Sequence, residues 1–331
     1  MGVFTTISET ELSSFLEENY DLGQFFRNSG IQTGSQNTNY WFRTDKGEFV
    51  FTLFENDENP ADIEPVYDFT NYLNNKDVRV PRVVSSSNSG IVTTMNGKSA
   101  IVTKFVHGFG LNPKNISEAY CESVGHHLKI LHDASKGYDK ELKSYYHKDN
   151  WINIWNSVKE HPNFDPDDKC SQVVEAELEA LISQWPEGVE KINIHGDLFP
   201  DNVLFIDDML TGIIDFNFAL HENPVYDLSI ALVAWCFDEM NEFRMERFLA
   251  IMKSYTKNND FWLSHNYRHL PFFLKAASLR YLLSRIKDKV FEHYQEGKKP
   301  LDPRVMLERY NYMKNSSDSL FSSILKEMSA M

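Results

Sequence analysis

The sequence predicts an α+β protein in two lobes: a small N-terminal lobe built on an antiparallel sheet, residues 1–106, and a larger, mainly helical C-terminal lobe, residues 107–331. Three observations lead there. Up to residue 106, short runs rich in aromatic and β-branched residues alternate with turn signals, the pattern of hairpins. Beyond Pro113 the apolar residues recur at helical spacing. And 331 residues with 42% hydrophobic content are more than one small core needs.

Taken in order, residues 8–18 have a helical spacing in Leu12, Phe15 and Leu16, with Ser8 placed as N-cap and Glu11 as its capping-box partner. A polar segment, 30–39, enters a hairpin of strands 40–44 and 48–54 turning at Asp45-Lys46-Gly47. Such loops can cradle phosphates with backbone N–H groups, which makes Gly34, Ser35, Asn37 and Thr38 candidates for holding a nucleotide. A helix is expected over 64–74, with Val66, Phe69, Tyr72 and Leu73 on its apolar face. Strands 91–94 and 100–106 meet at Asn96-Gly97, a type I′ signal. In the second lobe, helices are expected over 117–133, 151–158, 173–185, 228–237 and around 242–256, 270–289 and 303–325. Ala119, Val124, His127, Leu128 and Leu131 mark the core side of the first of these. Its His126, His127 and His132 read as helical neighbours rather than a metal site, since no Cys or third spaced ligand completes a zinc set.

The net charge of −15 argues against nucleic acid and anionic membrane surfaces, which call for clustered Lys and Arg. Cys121, Cys170 and Cys236 are far apart and show no CxxC spacing, which fits structural thiols in a reducing cytoplasm. Residues 1–16 lack the basic and apolar segments of a signal peptide. The apolar run 228–237 is too short to span a bilayer and reads as a core helix. An Asp at its start, Asp227, is expected to cap it.

The chemistry concentrates in residues 192–218. Reduced to polar groups this stretch is His195-x-Asp197-x4-Asn202, followed by Asp215, with apolar strand-like runs before, between and after. A carboxylate to accept a hydroxyl proton, and an amide and a carboxylate to hold Mg2+ on a nucleotide, are what phosphoryl transfer requires. Residues 195–202, His-Gly-Asp-Leu-Phe-Pro-Asp-Asn, resemble the catalytic loop of the aminoglycoside phosphotransferase/choline kinase superfamily, whose fold is related to protein kinases. The resemblance implies a two-lobed protein-kinase-like fold, with 103–108 as the hinge whose backbone meets the adenine. It also implies Asp197 as base, His195 as the residue that positions the loop, Asp227 as a brace for that loop, and Asn202 with Asp215 on Mg2+. Related folds place Lys or Arg where this chain has Thr52; its hydroxyl is the candidate replacement at the phosphates, with Lys98 a weaker one.

The matches narrow to homoserine kinases of the phosphotransferase-like type. They comprise Asp21-Leu22-Gly23, the segments 34–40 and 47–53, the loop 195–205, 214–219, and 275–285. That family too tends to carry Thr in the phosphate strand. The resemblance implies ATP-dependent phosphorylation of L-homoserine on the threonine route, in the cytoplasm. Homoserine needs an anion handle for its carboxylate. Arg280 lies on an otherwise apolar helix, where a buried Arg needs an anionic partner, either the substrate carboxylate or an Asp or Glu of the chain; Asn217 and Asn39 are further polar candidates for the substrate. Arg285 fits a salt bridge better. Two rivals stand: a choline or ethanolamine kinase, which would need an aromatic cage for its substrate cation, and a catalytically inactive kinase fold acting as a binding module.

Overall fold

The computed structural model describes residues 4–31, 37–55, 60–88, 90–257, 267–292 and 301–329. They fall in two compact units, one within Met1–His107 and the other within Gly108–His293 and Pro300–Met331. No helix among the described residues is long and apolar enough to cross a membrane.

The first unit opens with helix α1 (Glu9–Asn19), started by the Ser8–Glu11 capping box the sequence predicts. Strands β1 (Phe25–Gly30), β2 (Thr38–Thr44) and β3 (Gly47–Leu53) follow, then helix α2 (Pro60–Asn74). The strands β4 (Val83–Val84), β5 (Thr93–Met95) and β6 (Lys98–Lys104) complete a sheet of order β1-β2-β3-β6-β4, with β5 on β6. Alternation decides which face is buried. Phe49, Phe51 and Leu53 point to one side of β3 and pack with Phe42, Leu12, Phe15 and Leu16, while Val50 and Thr52 point to the other. The β5–β6 turn takes positive φ at both Asn96 and Gly97, as a type I′ turn requires. Helix α2 begins four residues earlier than the apolar spacing suggests and carries Pro65 inside it; Tyr72 is only half-buried.

The second unit is mainly helical: α3 (Glu118–Ser135), α4 (Trp151–Glu160), α5 (Lys169–Ser183), α6 (Pro224–Trp235), α7 (Met245–Thr256), α8 (Leu270–Val290) and α9 (Pro303–Ser329). Helix α8 packs against α4, α5, α6 and α9. Helix α3 lies so close to α7 that a Cβ on Gly125 would stand 2.4 Å from the Ile251 carbonyl oxygen. Its core face is Cys121, Val124, Leu128, Leu131 and His132, whereas Ala119 is exposed. Two short ribbons complete the unit. Strand β7 (Ile192–Ile194) pairs with β10 (Leu220–Glu222), and β8 (Val203–Ile206) pairs with β9 (Met209–Ile213) through the Asp207-Asp208 turn. Strand β10 is too short and too polar for its sequence to announce it.

Helix α6 is the anchor of this unit. Every residue from Pro224 to Trp235 is buried. Each fully buried Leu, Ile or Val contributes roughly 1.5–3 kcal/mol, which fixes the helix firmly against its neighbours. It begins four residues before the apolar run, and its cap is Asn223, whose side chain accepts the Val225 N–H at 2.8 Å. Asp227 therefore does not cap the helix. It is free for another task.

Candidate active site

The loop between β7 and β8 carries His195, Asp197 and Asn202, and α6 holds it at two points. Asp227 accepts the N–H groups of His195 and Gly196, both at 2.9 Å, and the Trp235 indole donates to the Leu198 carbonyl at 2.9 Å. Asp227 is fully buried and also receives His132 Nε2 at 2.9 Å; His132 Nδ1 meets the Tyr255 hydroxyl at 2.7 Å. Burial alone would raise the Asp227 carboxyl, but its bonds from His132 and Gly196 outweigh that and hold it below the usual carboxylate range. Gly196 has φ of 77°, and a Cβ there would come within 2.4 Å of the Phe218 carbonyl oxygen. Only glycine lets the loop lie this close to the segment that follows Asp215.

His195 is completely buried, and both ring nitrogens are occupied. Nε2 donates to the Ile214 carbonyl at 2.9 Å and Nδ1 accepts the Asp197 N–H at 3.2 Å. Burial lowers its basicity, so the imidazole is neutral and fastens the loop to the strand that leads into Asp215. Asn202 adds a second fastening: its carbonyl accepts the Ile214 N–H at 2.9 Å.

The carboxylate of Asp197 is held at both oxygens. Oδ2 accepts from Asn202 Nδ2 at 3.1 Å, and Oδ1 accepts the Tyr281 hydroxyl at 2.7 Å. Arg280 Nη1 stands 3.5 Å from Oδ1. Asn202 Nδ2 donates to Asp197, and its Oδ1 accepts no hydrogen bond from the described residues. Asp215 sits in the left-handed region at φ 64°, a strained conformation for a residue with a Cβ and one that concentrates at functional sites. The residue as a whole is exposed, but its carboxyl group is crowded by protein. That desolvation and the Asp197 carboxylate raise it to about 7, against a hydrogen bond from the Asn217 backbone; Asp201 adds a smaller push. Asn202 Oδ1 and the Asp215 carboxylate are thus oxygen donors beside surplus negative charge, a donor set that fits a hard divalent cation such as Mg2+.

Arg280 lies on α8 and is buried. Its guanidinium is walled by the rings of Tyr281, Tyr146 and Phe218, with centroids at 4.3, 5.1 and 5.2 Å. The long contact to Asp197 is its one hydrogen bond to the described residues. Asn217 is in the turn beside Phe218, in the same unit. Arg285 pairs with Asp288 one turn along, at 3.6 Å.

The other candidates lie in the first unit, except Gly34 and Ser35, which fall outside the described residues. Thr52 donates to Asn39 Oδ1 at 2.6 Å across the β2–β3 register, so these two candidates satisfy each other. Thr38 is buried, accepts the N–H groups of Phe4 and Thr5, and donates to Glu55. Asn37 Oδ1 accepts the Glu55 N–H at 3.4 Å. Lys98 is taken up by Glu55 and Thr5. Sequence reading missed Tyr281, Tyr146, Phe218 and Asp201. Of these only Asp201, next to Asn202, had a polar signal in the motif itself; the aromatic residues look like core.

The sequence pattern of the phosphotransferase enzyme family matches residues 28–251, a span that includes the loop, Asp215 and Asp227. The chain belongs to that family. As a phosphotransferase it is 32% identical to the homoserine kinase of Rhodospirillum rubrum over 288 residues, 87% of this chain and 88% of that protein. It is 30% identical to the homoserine kinase of Zymomonas mobilis subsp. mobilis over 326 residues, 96% and 98% of the two chains. In fold it resembles the amicoumacin kinase hAmiN, solved with AMP-PNP, Ca2+ and Ami, with a TM-score of 0.70 at 15% identity over 94% of each chain. The phosphotransferase is a small-molecule kinase with a protein-kinase-like architecture.

Proposed function

We propose that this kinase transfers the γ-phosphoryl group of ATP to the side-chain hydroxyl of L-homoserine, giving O-phospho-L-homoserine on the threonine route. The observation that carries the reading is Arg280. Three aromatic rings beside the catalytic loop form the kind of wall that recognises an organic cation, but the protein's own guanidinium fills it. A wall so filled repels choline and attracts a carboxylate. Homoserine carries that carboxylate and choline does not. The kinship with homoserine kinases over most of the chain supports the same choice. Asp197 orients the hydroxyl and takes its proton as the O–P bond forms. Asn202 and Asp215 would hold Mg2+, which neutralises charge on the phosphates when bound. Asn217 remains a proposed substrate contact. The three buried free thiols support a cytoplasmic setting.

The test is turnover with MgATP on homoserine, choline, ethanolamine and 3-aminopropanol. Homoserine should be the preferred acceptor. Arg280→Ala should cost roughly 2–4 kcal/mol in kcat/KM for homoserine and much less for 3-aminopropanol, which lacks the carboxylate. Equal turnover of choline, or an intact preference in the variant, would sink the assignment.

A further inference from the structure

We propose that Tyr281 is a positioning residue that keeps Asp197 and Arg280 apart, leaving the first available as base and the second available to substrate. This rests on the phosphotransfer reading of the site and adds a residue to it. An arginine and an aspartate buried side by side ordinarily close to 2.7–2.9 Å, often through two parallel bonds. Here the distance is 3.5 Å and a single guanidinium nitrogen is involved. The reason is visible at Oδ1. The Tyr281 hydroxyl already gives its one proton to it at 2.7 Å, with the Gly196 carbonyl a longer second acceptor at 3.3 Å.

The ring that carries this hydroxyl has little room to move. Tyr281 is buried on α8, edge-on to Phe199 of the loop with centroids 4.6 Å apart, and its face lies 4.3 Å from the Arg280 guanidinium. One side chain therefore blocks the ion pair in two ways: its face supports the cation and its hydroxyl takes the carboxylate oxygen. With Asn202 on Oδ2, the plane of the Asp197 carboxylate is set from two different elements. A planar fork with N–H groups to spare remains for an anion.

Removing only the hydroxyl should let Arg280 and Asp197 collapse onto each other. Tyr281→Phe keeps the ring, its packing on Phe199 and its contact with Arg280. The expected result is a fall in kcat of about ten- to a hundredfold, a several-fold rise in KM for homoserine, unchanged ATP affinity and a Tm within a few degrees of wild type. In an Asp197→Asn background the same change should have no further effect on residual turnover. A crystal structure of Tyr281→Phe provides a readout independent of acceptor: the Arg280–Asp197 distance should shorten to an ordinary ion pair. A distance still near 3.5 Å, or wild-type kcat with a lowered Tm, would overturn the proposal and leave Tyr281 a packing residue. Failure of the homoserine reading looks different. The wild type would then ignore homoserine, and the Tyr281→Phe comparison would be made on whichever alcohol it does phosphorylate, with the crystallographic distance still deciding.

Discussion

The candidate residues of the two units differ in how their polar side chains are paired. In the first unit polar groups close on each other: Thr52 on Asn39, Thr38 on Glu55, Lys98 on Glu55 and Thr5. In the second, burial and the nearby Asp197 carboxylate push the protonation of Asp201 and Asp215 upward, Asp215 is held in left-handed backbone, and Arg280 is buried on one long bond. A closed pair has little left to offer a ligand. A site with surplus like charge and an underused cation is poised to gain from binding one, and local rules are expected to break at such places. The contrast assigns the chemistry to the second unit's side chains.

The sharpest way to break this comparison is Asp197→Asn. It keeps the shape of the side chain and removes the base, so kcat should fall about 10²- to 10⁴-fold while nucleotide affinity changes little. Turnover near wild type would show that the surplus charge serves binding alone.

The next largest effect should come from beneath the loop. Asp227→Ala leaves His132 and the N–H groups of His195 and Gly196 without a buried acceptor and should destabilise the second unit by about 3–5 kcal/mol. The pH dependence follows from the sign of the shift. The folded-state carboxyl is held below its ordinary value, so its stabilisation is full above the carboxylate range and is lost as pH falls through it. Denaturant melts of wild type and variant should therefore differ most at neutral pH and converge in acid. A constant gap down to acid would mean that Asp227 acts by packing rather than charge.

How much of this was legible in the sequence depends on how far apart the partners are. The loop could be read because His195, Asp197 and Asn202 are neighbours in the chain, and the flanking β-branched runs mark its strands. The Ser8 capping box and the Asn96-Gly97 turn were legible for the same reason. Tyr281 was not: its hydroxyl meets a residue 84 positions away, and among Leu279, Leu282 and Leu283 it looks like one more core residue. Asp227 was half read: Asn223 takes the cap expected of it, the bracing of the loop that related folds imply is the task it performs, and its partner His132 on α3 was not legible. The spacing of Arg280 revealed a buried cation but not the aromatic wall around it, whose rings come from three separate segments.

The smallest effect should come from Thr52, and it tests the quiet half of the comparison. Its position in β3 suggests a hydroxyl turned to phosphate, yet its proton is given to Asn39 at 2.6 Å. Without that proton the hydroxyl has only lone pairs to present, and lone pairs do not attract phosphate oxygens. Thr52→Val, which preserves shape and β-branching, should cost about 1 kcal/mol of stability by leaving the Asn39 carbonyl unsatisfied. The KM for ATP should move by less than about threefold, well below one charged hydrogen bond. Asn39→Ala should lower stability by a similar amount, and the double variant should cost less than the sum, since both remove one bond. If Thr52→Val raises the KM for ATP tenfold or more while stability holds, then the pair opens when nucleotide binds. The first unit's polar groups would then be a reserve that a ligand releases, rather than a framework it leaves alone.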